Sequence, residues 1–152
     1  MEPAVARALA HTIHTGQRTR HGAAMSEHVE RVGSAVPESA RAVAFLHDVL
    51  ERSASALATL LASGLTELEA GALDLLTPAA GETYELHVLR IAAERGPAGR
   101  MARIVKIADV DDHITARYVV GDPPYAWARR RIMIAQEVLG ECLPARARTT
   151  VG

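Results

Sequence analysis

Potential metal ligands fall at three places in this sequence: His28, the doublet His47-Asp48, and the acidic run Asp109, Asp111, Asp112 that ends in His113. The doublet is the most informative. It follows an apolar run over residues 43–46, where an ionised Asp carries a large desolvation cost unless it is paired or bound to a cation. Adjacent helical residues diverge by about 100° around the axis, so both side chains reach one ion only as neighbouring ligands of a six-coordinate site. Two imidazoles and two carboxylates suit one divalent ion such as manganese, iron or nickel, with water in the open positions. Tetrahedral structural zinc fits this donor set less well.

Glu51 lies four residues after His47 and three after Asp48, which on a helix places it on the same face, overhanging the ion. A carboxylate there orients or deprotonates a bound water, the natural nucleophile for hydrolysis of a phosphate ester or anhydride. A polyanionic substrate needs charge-assisted donors nearby, and Arg18, Arg20 and Lys106 are candidates, although Arg18 equally fits a solvated face. His113, four residues after Asp109, enters either the substrate pocket or the ligand shell. Asp111 and Asp112 compete with Asp109 as ligands, Asp112 also being the next candidate after Glu51 to activate water. His14 reads as structural, and His11, His21 and His87 read as surface residues without a partner pattern. Arg129-Arg130-Arg131 reads either as a wet helix face or as a source of substrate contacts.

The elements that must position these groups are helices. Helical patterning runs from about Pro3 to Gly16, and a turn over 17–22 leads to a second helix with Ser26 as its cap and His28 within it. Pro37 and Glu38 open a third, largely apolar helix that continues through Val49 and Leu50. Ser53 or Ser55 caps a short helix ended by Gly64. Thr66 and Glu69 have the spacing of a capping box, in which each side chain satisfies the other's backbone N–H, and that helix runs to about Leu76 before Thr77-Pro78. Further helices cover about 82–95, 98–119 and 125–143, with a frayed tail over 144–152. Alternating strand patterns are lacking.

A chain of 152 residues is one domain's length. Hydrophobic residues make up 49% but aromatics only 3%, so the core is built from Ala, Leu, Val and Ile, which favours close-packed helices and disfavours a surface that stacks bases. A net charge of -1 lacks the electrostatic footprint of a duplex binder. Cys142, the one cysteine, forms no intramolecular disulfide or multi-cysteine zinc site, which fits a reducing compartment. Residues 1–10 show no signal peptide, and no run approaches the roughly 18 apolar residues of a spanning helix. The expectation is a cytoplasmic protein whose partner is a small molecule rather than DNA, RNA or a membrane; a homo-oligomer is compatible with this.

The order His28, His47-Asp48, Asp109 resembles the HD-domain superfamily of metal-dependent phosphohydrolases. Within it, residues 6–114 are similar to the alarmone-hydrolase domain of RelA/SpoT-type proteins and to small stand-alone relatives. The matching pieces are His14-Thr15-Gly16-Gln17, Gly22 leading to His28, the stretch from Ala44 through His47-Asp48 to Glu51, Leu75-Leu76-Thr77, Gly81-Glu82-Thr83-Tyr84, and Val105-Lys106-Ile107-Ala108-Asp109.

The resemblance implies an all-α, compact helical bundle forming a single domain. It implies His28, His47, Asp48 and Asp109 as ligands of one divalent ion, manganese first and iron, nickel, cobalt or magnesium after it, with Glu51 positioning water. It further implies hydrolysis of a nucleotide phosphate or pyrophosphate, with removal of the 3′ pyrophosphate of a guanosine tetraphosphate-type alarmone as one form. The chain departs from the family where Arg52 replaces an acid, His113 an asparagine, Thr19-Arg20 an Arg-Lys pair and Ala24-Met25 a Pro-Tyr pair. Arg52 either holds a leaving phosphate at the catalytic site or pairs with Glu51 and lowers its basicity. The second case gives an alternative function, a lapsed module that senses metal or nucleotide. A dimetal oxygenase on the same scaffold needs more His and Asp ligands than the matched set provides.

Overall fold

The computed structural model describes residues 1–19, 22–53, 56–115 and 123–141. The expectations for Arg20, His21, Ser55, Cys142 and the tail over 144–152 lie outside the described residues. The described chain is all-α: α1 (Pro3–Ile13), α2 (Met25–Ala35), α3 (Glu38–Leu46), α4 (Val49–Arg52), α5 (Ala56–Ala62), α6 (Glu67–Leu76), α7 (Tyr84–Ala93), α8 (Pro97–Thr115) and α9 (Pro123–Val138). Extended pairing among the described residues is limited to an isolated antiparallel bridge between Arg18 and Ala24. None of their helices is long and apolar enough to cross a membrane.

Two helices form the centre. α3 buries Ala40 and the whole run from Ala42 to Leu46, so it is apolar on nearly every side and packs against α1, α2, α6 and α8. α8 packs against α2, α3, α6, α7 and α9. α2 touches both central helices, which is what brings its His28 to the end of α3 and the middle of α8. Its approach to α3 depends on Gly33, because a Cβ at that position would run into the ring of Phe45. An alanine there costs about 1–3 kcal/mol of overpacking.

Several boundaries differ from the sequence reading, each for a local reason. Ser26 is inside α2 and Ala24 holds the cap position, with no side-chain cap bond. Thr66 and Glu69 do form the capping box that starts α6. The seventh helix begins at Tyr84 rather than Glu82, because Thr83 accepts from the Leu86 N–H and fixes the start. Most consequential, α3 stops at Leu46, and His47-Asp48 form a turn before the four-residue α4.

Candidate metal centre

The turn at the end of α3 positions the doublet. A helix end leaves carbonyls without intrahelical partners, and the His47 Nδ1–H donates to one of them, Ala44 O, at 2.8 Å. Asp48 leaves regular helix geometry, with φ -98° and ψ -5°. The interruption relaxes the 100° divergence of consecutive helical residues, and His47 Nε2 comes to 3.5 Å from Asp48 Oδ1. It also replaces the sequence-level argument for Glu51: that side chain is exposed and lines the mouth of the cleft from α4, on a different helix from the His47 it was spaced against.

α2 and α8 complete the cluster. His28 Nε2 lies 3.1 Å from His47 Nε2, 3.4 Å from Asp109 Oδ1 and 3.8 Å from Asp48 Oδ2. Asp109 Oδ1 is 3.7 Å from His47 Nε2 and 3.1 Å from His113 Nε2. His28, His47 and Asp109 are each buried, while Asp48 and His113 are partly open to the cleft.

The outer nitrogens decide what the inner ones do. His28 Nδ1 stands 2.8 Å from Asp112 Oδ2. Burial opposes the charge on Asp112, but hydrogen bonds from Arg31 and His28 overcome it and hold that carboxyl below its ordinary value. An ionised carboxylate only accepts, so His28 Nδ1 carries the hydrogen, as His47 Nδ1 does toward the Ala44 carbonyl. In the neutral imidazoles both Nε2 atoms are then lone pairs, 3.1 Å apart and facing a carboxylate oxygen. Acceptors converging on acceptors require a positive charge between them.

The electrostatics agree. Burial pushes the His47 imidazolium down, yet Asp48 and Asp109 outweigh it and raise its pKa to about 9. A metal ion taken into this position competes with that proton. Carboxylate and carbonyl partners on the outer nitrogens are what metal-binding histidines ordinarily have, so the donor set fits a divalent cation. Two triads could hold one, His28 with His47 and Asp48, and His28 with Asp109 and His113, the ligand atoms within each lying within 4.8 Å of one another.

Asp109 has its second oxygen engaged elsewhere. Burial disfavours its charge, but the Lys106 ammonium, 2.8 Å from Oδ2, and the surrounding imidazoles hold the carboxyl well below its ordinary value. Lys106, itself pushed down by burial, is raised above its ordinary value by Asp109 and lies 5.6 Å from the Tyr84 ring centre. Although it lines the cleft, Lys106 serves Asp109 first.

The cleft over this cluster encloses about 220 Å³, with Glu51, Arg52, Thr19, Tyr84 and Tyr125 among its walls. Arg52 is exposed there. Arg18 is elsewhere, on a neighbouring groove, with its guanidinium on the Gly22 carbonyl at 2.6 Å. Arg129 is tied to Asp111 at 2.6 Å, and the Arg131 guanidinium lies 5.6 Å from the Trp127 ring centre. His14 is buried and donates from Nδ1 to Gln17 Oε1 at 3.0 Å, a structural contact within the turn.

Three readings need correction. His87 is not a surface residue: it is buried, lines the cleft and donates from Nε2 to the Leu75 carbonyl at 3.0 Å. His11 is half-buried and bonded to Glu30. Asp112, read as a competing ligand, stands outside the convergent cluster, behind His28 on its outer Nδ1, and bridges it to Arg31. Sequence reasoning missed Arg31, Tyr84 and Tyr125; the (i, i+3) spacing of His28 and Arg31 on α2 was the available signal for the first. No model of a known protein family matches the chain, and no curated protein matches it.

Proposed function

We propose that this chain is an HD-type metal-dependent phosphohydrolase that cleaves a phosphate or pyrophosphate from a small nucleotide in the cytoplasm, a guanosine tetraphosphate-type alarmone being the first substrate to try. The observation that carries the reading is the convergence of His28 Nε2, His47 Nε2 and Asp109 Oδ1, between 3.1 and 3.7 Å apart, at the floor of an open cleft. His28, His47, Asp48 and Asp109 would hold a divalent cation, which when bound supplies Lewis acidity and an acidified water.

The other roles belong to the chain. Asp112 and the Ala44 carbonyl keep the two histidines in the binding tautomer. Lys106 keeps Asp109 charged. Glu51, exposed at the cleft wall, accepts the proton of the attacking water at a carboxylate oxygen. Arg52 beside it offers a guanidinium to phosphate oxygens, a bidentate match that also steadies the leaving group. Tyr84 and Tyr125, packed edge to face with ring centres 5.9 Å apart, form an apolar wall for the remainder of the nucleotide.

The test is a phosphate-release screen over nucleotides, alarmones included, with wild type and Glu51→Gln loaded with each divalent metal. Wild type should turn over at least one of them, and Glu51→Gln should keep its metal and lose at least about 100-fold in rate, the scale of a general base. Metal binding without turnover on the whole panel would favour the lapsed sensor instead. Arg52→Asp separates the two roles of Arg52: weaker binding and slower turnover fit a phosphate contact, whereas faster turnover means that Arg52 restrains Glu51.

A further inference from the structure

Three imidazoles surround one carboxylate oxygen in this cluster. Asp109 Oδ1 has His113 Nε2 at 3.1 Å, His28 Nε2 at 3.4 Å and His47 Nε2 at 3.7 Å. Taken as a triad, the ligand atoms of His28, Asp109 and His113 lie as close together as those of His28, His47 and Asp48, all within 4.8 Å. His113 is also held in place. It follows Asp109 by one helical turn on α8, so the two side chains project together. Its ring lies nearly parallel to Tyr125, 13° from coplanar at 4.7 Å, and 4.9 Å from the ring of His28. A side chain packed against two rings and aimed at the shared carboxylate is preorganised as a donor rather than left to meet substrate.

We propose that His113 is a third imidazole ligand of the same cation, and that the centre therefore selects a late first-row divalent ion, of the cobalt, nickel or zinc kind, over manganese or magnesium. The proposal rests on reading the cluster as a metal centre and revises the expectation of manganese. The chemistry follows from the donor count. Carboxylate and water donors suit magnesium and manganese, imidazole nitrogen suits the later ions, and affinity along the series from manganese to copper climbs for any such site. Exchanging a water for an imidazole steepens that climb.

X-ray absorption on the cobalt-loaded wild-type protein counts the imidazoles directly and needs no turnover. Three are expected, and His113→Phe, which keeps a ring against Tyr125 and deletes the nitrogen, should show two with an unchanged circular dichroism spectrum. In a competition titration cobalt affinity should fall at least about tenfold in His113→Phe, since even the loss of an outer partner of a ligand typically costs 10–100-fold, and the preference for cobalt over manganese should fall with it. Two imidazoles in the wild type, or a count and a preference that His113→Phe leaves unchanged, would overturn the role of His113 while leaving the metal centre standing. A wild-type protein that binds none of cobalt, nickel, zinc and manganese would overturn the metal centre itself, and this inference with it.

Discussion

Arg103 and Asp109 sit on the same helix, both buried, and their surroundings treat charge in opposite ways. The Arg103 guanidinium donates to the carbonyls of Ile91, at 2.9 Å, and Glu94, and to both carboxylate oxygens of Glu141, one of them at 2.8 Å. Donors there meet acceptors supplied by the end of α7 and by the chain just beyond α9, so the cluster closes on itself and ties three elements together. Around Asp109 the count is lopsided. Lys106 satisfies one oxygen, while the other is crowded by three imidazoles, His113 at 3.1 Å and the Nε2 atoms of His28 and His47, whose outer nitrogens are taken by Asp112 and the Ala44 carbonyl. A buried charge whose partners are complete is structural, and one that draws several imidazole nitrogens onto a single oxygen could hold a cation.

Arg103→Leu should give the largest loss of stability. It strands a carboxylate and two carbonyls, for which about 3–5 kcal/mol is the expected cost. Urea denaturation should show the same loss with a chelator and with excess divalent ion. A loss that shrinks when metal is added would mean that the two clusters are coupled, and the contrast would fail.

His47→Ala addresses the other side. Wild-type stability should rise with free divalent ion, by about 2.7 kcal/mol at a hundredfold excess over Kd, and thermal denaturation of His47→Ala should show no such rise. An equal rise in the variant would locate the ion elsewhere.

Which parts of this were legible in the sequence follows from how local each cause is. The Thr66–Glu69 capping box involves residues three apart and was readable. The burial of His47 was readable from the apolar run before it, but not the partial exposure of Asp48 or the break in the helix, where the His47 side chain bonds back to Ala44. Which way each residue of Asp109, Asp111, Asp112 and His113 faces depends on how α8 is rotated against α2, and that is set by packing on five other helices. Arg103 gave no signal at all, because a lone arginine in a helix reads as solvated until Glu141 is brought to it from 38 residues away.

Asp112→Asn tests whether the outer partner matters. The amide no longer enforces a hydrogen on His28 Nδ1, and metal affinity should fall by about 10–100-fold, read by competition titration. Arg31, nearly half exposed, clamps Asp112 through Nε at 2.5 Å and Nη2 at 3.1 Å, so Arg31→Ala should follow in the same direction with a smaller drop. An unchanged affinity in Asp112→Asn would leave the tautomer to the metal alone.

The smallest effect is expected where charge is complete and near the surface. Glu82 accepts from Arg90 Nε and Nη2, each at 2.9 Å, and from the Ala79 N–H at 2.9 Å, while Arg90 Nη2 also reaches the Thr77 carbonyl at 3.0 Å. The bidentate arginine, helped by the Ala79 N–H, lowers the Glu82 pKa from 4.5 to about 2. A carboxyl that titrates lower when folded stabilises the fold above its unfolded value and loses that contribution as pH falls through its folded value. The contribution of Glu82 is therefore present above about pH 4.5 and gone by about pH 2. Asp109 and Asp112 lose stability with acid as well, so the wild-type curve alone cannot isolate Glu82. The difference between wild type and Glu82→Gln does isolate it: a modest gap at neutral pH, narrowed by salt because the pair is near solvent, unaffected by chelator, and closing as the pH approaches 2. A gap that persists at pH 2 would make the pair a packing contact rather than an electrostatic one, and a gap that changes with metal would join it to the cleft.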